Sequence, residues 1–277
     1  MPRTIVLRDQ TPVPALGQGT WRMGEDARLR GQEIAALRAG VALGMTLIDT
    51  AEMYGDGATE TLLGEALEGL RDRIFLVSKA YPQNAGRGRL ERACEASLRR
   101  LKTDHLDLYL LHWRGSVPLS EMVEGMEALI AAGKIRRWGV SNLDCGDMDE
   151  LVKAGGEQCA TDQILYNVTQ RGAEFDLLPE LSKRQIPVMA YSPVGQGRLP
   201  HSPALTAIAK RYDVTPFQVA LAWVLRDPNV IAIPKAADES HVQANLRAAE
   251  LTLDAEDLAA IDADFRPPTR RTRLAML

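Results

Sequence analysis

Three ionisable residues each close a short apolar run: Asp49 ends "TLID", Lys79 ends "IFLVSK" and His112 ends "LDLYLLH". Tyr54 follows Asp49 in the segment "TAEMYGDG". A phenol is a poor acid at neutral pH unless its anion is stabilised. An ammonium beside it favours the phenolate, and a carboxylate can hold that ammonium in place. A histidine on the next element can hydrogen-bond an incoming oxygen and fix its direction. Such a group suits protonation of a carbonyl oxygen while hydride arrives at carbon. The hydride must come from an external donor, and nicotinamide is the simplest. Taken singly, each residue has a plainer reading: the Asp caps a helix, the Lys or His is solvated, the Tyr packs with its hydroxyl satisfied. Their grouping on successive runs is what points to a site.

Other chemistries find no support. The histidines, at 105, 112, 201 and 241, are scattered and make no metal-ligand set, so no metal is expected. Ser141 and Ser192 lack the G-x-S-x-G setting of a nucleophile elbow. Cysteines 94, 145 and 159 show neither a pair nor a ligand cadence, which suggests a reducing compartment.

The elements that must position these residues alternate along the chain. Strand candidates are 17–21, 46–49, 74–79, 106–112, 135–142, 161–167, 188–192 and 230–235, rich in Val, Ile, Leu and Tyr. Helical periodicity separates them. In "RLERACEASLRRL", Leu90, Cys94, Leu98 and Leu101 make an apolar stripe opposite arginines and glutamates, and "GATETLLGEAL" turns Thr59, Leu62, Leu63 and Leu67 to one side. Trp138 and Trp223 read as core residues. Eight strands each followed by helix describe an α/β fold, a closed (β/α)8 barrel, with a hairpin over residues 4–15 ahead of it and extra helices near the C-terminus. An open doubly wound sheet would normally begin with a glycine-rich phosphate loop, and none follows the first strand. No linker or repeat divides the chain, so residues 1–277 are expected to form one domain. In a barrel, the carboxyl ends of the strands carry the chemistry, which is where Asp49, Lys79 and His112 stand.

Composition limits the partners. The 277 residues carry 33 basic and 37 acidic side chains, a net charge of -4, with no basic excess for nucleic acid. No apolar stretch approaches the roughly 20 residues that span a membrane. The opening "MPRTIVLRDQ" lacks the apolar run of a signal peptide. A cytoplasmic protein is expected, acting on a small-molecule carbonyl compound.

With these residues in view, the sequence resembles the aldo-keto reductase family. The resemblance runs over essentially the whole chain, through "LGQGTW", "LIDTAEMYGDGATETLLGEAL", "FLVSKAYPQNAG", "DLYLLHW", "GKIRRWGVSN", "ILYN", "YSPVGQG" and "IPKAADESHVQANL". It implies a monomeric (β/α)8 barrel that reduces aldehydes and ketones with a nicotinamide cofactor, usually NADPH, without metal or flavin. Tyr54 then resembles the general acid, Lys79 the residue that lowers its pKa, Asp49 the carboxylate paired with that lysine, and His112 the residue orienting the carbonyl. Ser141, Asn142 and Gln163 match the residues that hold the nicotinamide carboxamide, and Tyr191 the ring that stacks on it. Ser192, Val194, Gly195 and Gly197 fall in the loop that passes over the pyrophosphate. Lys235 matches the lysine for the 2'-phosphate, His241 stands in the same segment, and Asn245 matches an adenine contact.

The chain also departs from that pattern. Ala236 stands where many NADPH-specific members have Ser, and His241 where they have Arg. The first change removes a hydroxyl, and the second replaces a permanent cation with an imidazole. NADPH is expected to remain preferred through Lys235, with NADH used as well. Trp21, Met53, Tyr81 and Trp113 are expected to line the substrate pocket. The connection "WRGSVPLSEM" and the tail "DFRPPTRRTRLAML" are short, which implies an open pocket, and Arg266, Arg270, Arg271 and Arg273 imply a solvated, partly disordered terminus. Small or aromatic aldehydes, α-dicarbonyls and ketones are the expected substrates. Two other functions share these residues: an alcohol or sugar dehydrogenase working in the oxidative direction, and a cofactor-binding regulatory module with little turnover.

Overall fold

Parallel strands cannot bury their faces alone, and here helices cover them from outside. The computed structural model describes residues 3–277. An antiparallel hairpin, β1 (Thr4–Val6) and β2 (Pro12–Pro14), precedes eight parallel strands. These are β3 (Gln18–Gly19), β4 (Leu47–Asp49), β5 (Phe75–Ala80), β6 (Leu108–Leu111), β7 (Trp138–Ser141), β8 (Asp162–Leu165), β9 (Val188–Tyr191) and β10 (Val230–Ala232). Each pairs with its sequence neighbour. The first and last strands then meet: the Gly17 N–H donates to the Ala232 carbonyl at 2.9 Å and the Gly19 N–H to the Pro234 carbonyl at 3.1 Å, closing the barrel. A Cβ at Gly19 would stand 2.5 Å from the Ile233 carbonyl oxygen, so this seam admits only glycine at that point.

Helices α1 (Arg30–Ala42), α2 (Ala58–Ala66), α3 (Arg89–Leu101), α4 (Leu119–Ala131), α5 (Cys145–Lys153) and α6 (Leu177–Lys183) follow β3 to β8 in turn. Two helices, α7 (Pro203–Tyr212) and α8 (Pro216–Leu225), separate β9 from β10, and α9 (Glu239–Glu250) and α10 (Ala255–Asp264) come last. The stripe Leu90, Cys94, Leu98 and Leu101 is the buried face of α3. Trp138 and Trp223 are fully buried.

Strand periodicity sorts the side chains into two cores. Leu47, Val77, Leu108, Leu110, Met189, Ile231 and Ile233 point into the barrel and pack on Ile5, Leu7, Val13 and Ala15 of the hairpin, which closes the amino end of the barrel. Ile48, Leu76, Tyr109, Leu111, Val140, Ile164, Val188 and Ala190 point outward to the helices. Two residues on from Leu47 and Val77, the inward positions are Asp49 and Lys79. The same register turns Ser141, Gln163 and Tyr191 inward above the apolar layer. No helix among the described residues is long and apolar enough to cross a membrane.

The C-terminal tail departs from expectation. Arg266, Arg270 and Arg273 are exposed, but residues 265–277 are held against the barrel. The Arg171 guanidinium donates to the Phe265 carbonyl, Arg271 lies 3.0 Å from the Asp176 carboxylate, and Leu274 packs on the core. All four arginines, Arg271 among them, are solvent-exposed as expected, and what local composition does not reveal is that contacts distant in sequence fix the path of the tail.

Candidate active site

Inward register brings Asp49 from β4 and Lys79 from β5 into one layer, and the neighbouring backbone completes the contact. The Lys79 Nζ donates to Asp49 Oδ2 at 2.8 Å, to the Thr50 carbonyl at 2.8 Å and lies 3.2 Å from the Tyr54 hydroxyl. All three protons of the ammonium are thus placed. Lys79 is fully buried and Asp49 is 2% exposed, so the pair is screened from water. Tyr54 starts a short 3-10 turn after β4 (Tyr54–Gly57), in which Gly55, Asp56 and Gly57 take positive φ. That turn folds the phenol back over the barrel mouth. His112 follows the end of β6, and its ring lies edge-on to Tyr54 with centroids 6.0 Å apart.

Burial raises the Tyr54 phenol well above its ordinary range, and the Asp49 charge raises it further. Burial pulls Lys79 down, opposed by Asp49 and more distantly by Glu60. Lys79 thus donates to a phenol that burial and Asp49 favour in its protonated form. Burial, and then the Lys79 charge, hold His112 down to about 2, so it is neutral at physiological pH. Its Nδ1 is buried without a partner.

A second set lies across the mouth. The Ser141 hydroxyl donates to the Gln163 carbonyl at 2.7 Å, and the Asn142 amide donates to the His112 carbonyl at 3.1 Å and to Ser141 Oγ at 3.0 Å. The Tyr191 hydroxyl donates to Asn142 Oδ1 at 3.0 Å. Asn142 and Ser192 take φ of 60° and 48°, ending their strands in left-handed turns that hold these groups toward the opening. Gln163 joins the two sets, since its amide donates to Asp49 Oδ1 at 2.8 Å.

Val194, Gly195 and Gly197 lie in or beside the turn after β9 (Gly195–Gly197). Lys235, His241 and Asn245 lie on the β10–α9 connection and the first turns of α9, with Lys235 bridged to Gly19 of β3. There the His241 Nδ1 is 2.8 Å from Asp238, whose carboxylate also caps α9. Half-buried rings surround the phenol: Trp21 lies 4.8 Å from the Tyr54 centroid, Trp113 4.9 Å from His112, and Tyr81 5.9 Å from Trp113. Met53, half-buried, adjoins Tyr54 in sequence. Sequence reasoning missed the Thr50 carbonyl, which any residue type would supply, and the link from Gln163 to Asp49 across 114 positions. No trio of His, Cys, Asp or Glu able to hold a metal occurs among the described residues.

A family model described as "Aldo/keto reductase family" matches residues 15–264. The chain belongs to that family. It is 56% identical to methylglyoxal reductase YeaE of Escherichia coli, with 99% of each chain covered. Two crystal structures of an aldo-keto reductase from Klebsiella pneumoniae, one with NADP and acetate and one with NADPH, are 54% identical over the whole of both chains, with TM-scores of 0.96 and 0.97. This aldo-keto reductase is therefore an NADP(H)-dependent oxidoreductase of carbonyl substrates, as its family is. The donor set suits the cofactor. Ser141, Asn142 and Gln163 set hydroxyl and amide groups beside the Tyr191 ring, and His112 has a buried ring nitrogen, Nδ1, without a partner.

Proposed function

We propose that this reductase converts small α-oxoaldehydes and aromatic aldehydes to alcohols, with Tyr54 as the proton donor. The observation that carries the reading is the buried ammonium that touches Asp49 and Tyr54 at once, beneath a rim of aromatic rings. When bound, NADPH supplies the hydride. Ser141, Asn142 and Gln163 would hold its carboxamide and Tyr191 would stack on its ring, while Ser192, Val194, Gly195 and Gly197 would approach the pyrophosphate. Lys235 would meet the 2'-phosphate, with His241 beside it and Asn245 near the adenine. Neutral His112 would donate to the carbonyl oxygen and set its angle toward Tyr54. As negative charge grows on that oxygen, the phenol proton moves to it and Lys79 steadies the phenolate left behind.

Trp21, Met53, Tyr81 and Trp113 would seat the substrate. A second carbonyl next to the aldehyde withdraws electrons from the reacting carbon, which favours hydride attack, and the relative named for methylglyoxal supports this class. The reading takes residues 1–277 as one domain, acting as a monomer. Initial rates of NADPH consumption with methylglyoxal and with propanal test it. The expected kcat/KM is at least about tenfold higher for methylglyoxal, near the lower limit of what small structural differences yield. Equal values for the two aldehydes would refute the substrate class.

A further inference from the structure

The tail described above has three fixings. At its root, buried Arg171 holds the Phe265 carbonyl and lies 2.7 Å from Asp262. At its middle, the Arg271 side chain spans Asp176, before α6, at 3.0 Å and Asp144, the cap of α5, at 3.8 Å. At its tip, the Leu277 N–H donates to the Tyr191 hydroxyl at 3.4 Å. That hydroxyl is itself the donor to Asn142 Oδ1 at 3.0 Å. Beside the root, Ser202 Oγ donates to Asp264 at 2.6 Å, tying the far end of the β9–α7 loop to the same segment.

A tyrosine ring turns about two side-chain bonds, and a single bond at its far end leaves it a cone of orientations. A second bond from a different direction narrows that cone. We propose that residues 265–277 form a strap that fixes the plane of the Tyr191 ring, and that Arg271 is the positioning residue that keeps the strap in place. The proposal rests on the reading in which Tyr191 faces the nicotinamide. Ordering the ring before the cofactor arrives lowers the cost of stacking, so the strap strengthens binding of the nicotinamide end alone.

The test compares two probes by quenching of tryptophan fluorescence: NADPH, and 2'-phospho-ADP-ribose, which lacks only the nicotinamide. The variants are Arg271→Ala, Arg271→Lys and a chain shortened by residues 274–277. Arg271→Ala and the shortened chain are expected to bind NADPH about three- to tenfold more weakly, the range of one lost hydrogen bond. Both should bind 2'-phospho-ADP-ribose as the native chain does, and Arg271→Lys should recover part of the NADPH affinity. Equal weakening toward both probes, or no weakening toward NADPH, would overturn the strap. A native chain that binds the two probes equally well would remove the nicotinamide reading of Tyr191, and the proposal with it, before any variant is compared.

Discussion

Replacing Lys79 by Met removes the cation from a site that water does not reach. Asp49 would then be left 2% exposed with one amide donor, Gln163 at 2.8 Å, and no counter-charge. Breaking a buried ion pair from one side costs about 3–5 kcal/mol. Asp49→Asn should cost less, because burial already pulls Lys79 toward its neutral form and the Thr50 carbonyl still accepts from it. The double variant, Asp49→Asn with Lys79→Met, buries no unpaired charge. Its loss should fall short of the sum of the singles by about 2–3 kcal/mol, within the range found for groups in direct contact. Denaturant unfolding, followed through buried Trp138 and Trp223, measures all three. Turnover should fall by about 100-fold or more in each, since proton delivery is lost whether or not stability recovers. Losses that add to within about 0.5 kcal/mol would show that the two side chains are not coupled, and the argument from burial would fail.

Further perturbations test other parts of the structure. Burial holds His112 down at about 2, so from its unfolded value near 6.5 downward the unfolded chain binds the extra proton. That contribution is complete above about pH 6.5 and is lost as pH falls, at up to about 1.4 kcal/mol per pH unit. His112→Gln should therefore flatten the decline of stability with acidification, seen as a smaller drop in unfolding midpoint between mildly acidic and neutral buffers. Asp162 faces outward from β8 with both carboxylate oxygens buried, and burial raises it well above the ordinary range, opposed only by a weak contact from the Leu143 backbone. It favours the fold below its unfolded value near 3.9 and loses that contribution as pH rises. Asp162→Asn should raise the thermal midpoint, more so in alkaline than in acidic buffer, and an equal rise in both would contradict this. His241→Arg would place a permanent cation beside the proposed 2'-phosphate lysine, and the NADPH-over-NADH ratio of kcat/KM should rise about tenfold.

Much of this architecture is legible in the sequence because parallel strands are short and nearly continuous in apolar residues. The runs 46–49, 74–79 and 188–192 all carry strands of the barrel, and the hairpin stands where residues 4–15 place it. Period-two alternation then turns Asp49, Lys79, Gln163 and Tyr191 inward together. Burial is less legible. The phenol of Tyr54 is made a weaker acid by its enclosure, and composition carries no measure of that. Glu60 looks like a solvent-facing helix residue, yet it is fully buried and accepts from the Ser78 hydroxyl at 2.6 Å. The tail's charge correctly suggests solvent exposure, but its path depends on Arg171 and Arg271 meeting acids far away in sequence, which composition does not carry.

The central claim is that Tyr54 delivers the proton. Its most direct test is single-turnover consumption of enzyme-bound NADPH with 4-nitrobenzaldehyde, in the native protein and in Tyr54→Phe. The hydroxyl oxygen is the only heavy atom removed, and the ring keeps its packing against Trp21. NADPH affinity should be unchanged while the rate of the chemical step falls by about 100- to 10,000-fold. Equal rates in the two proteins would contradict the assignment, and the donor would have to be sought elsewhere in the site.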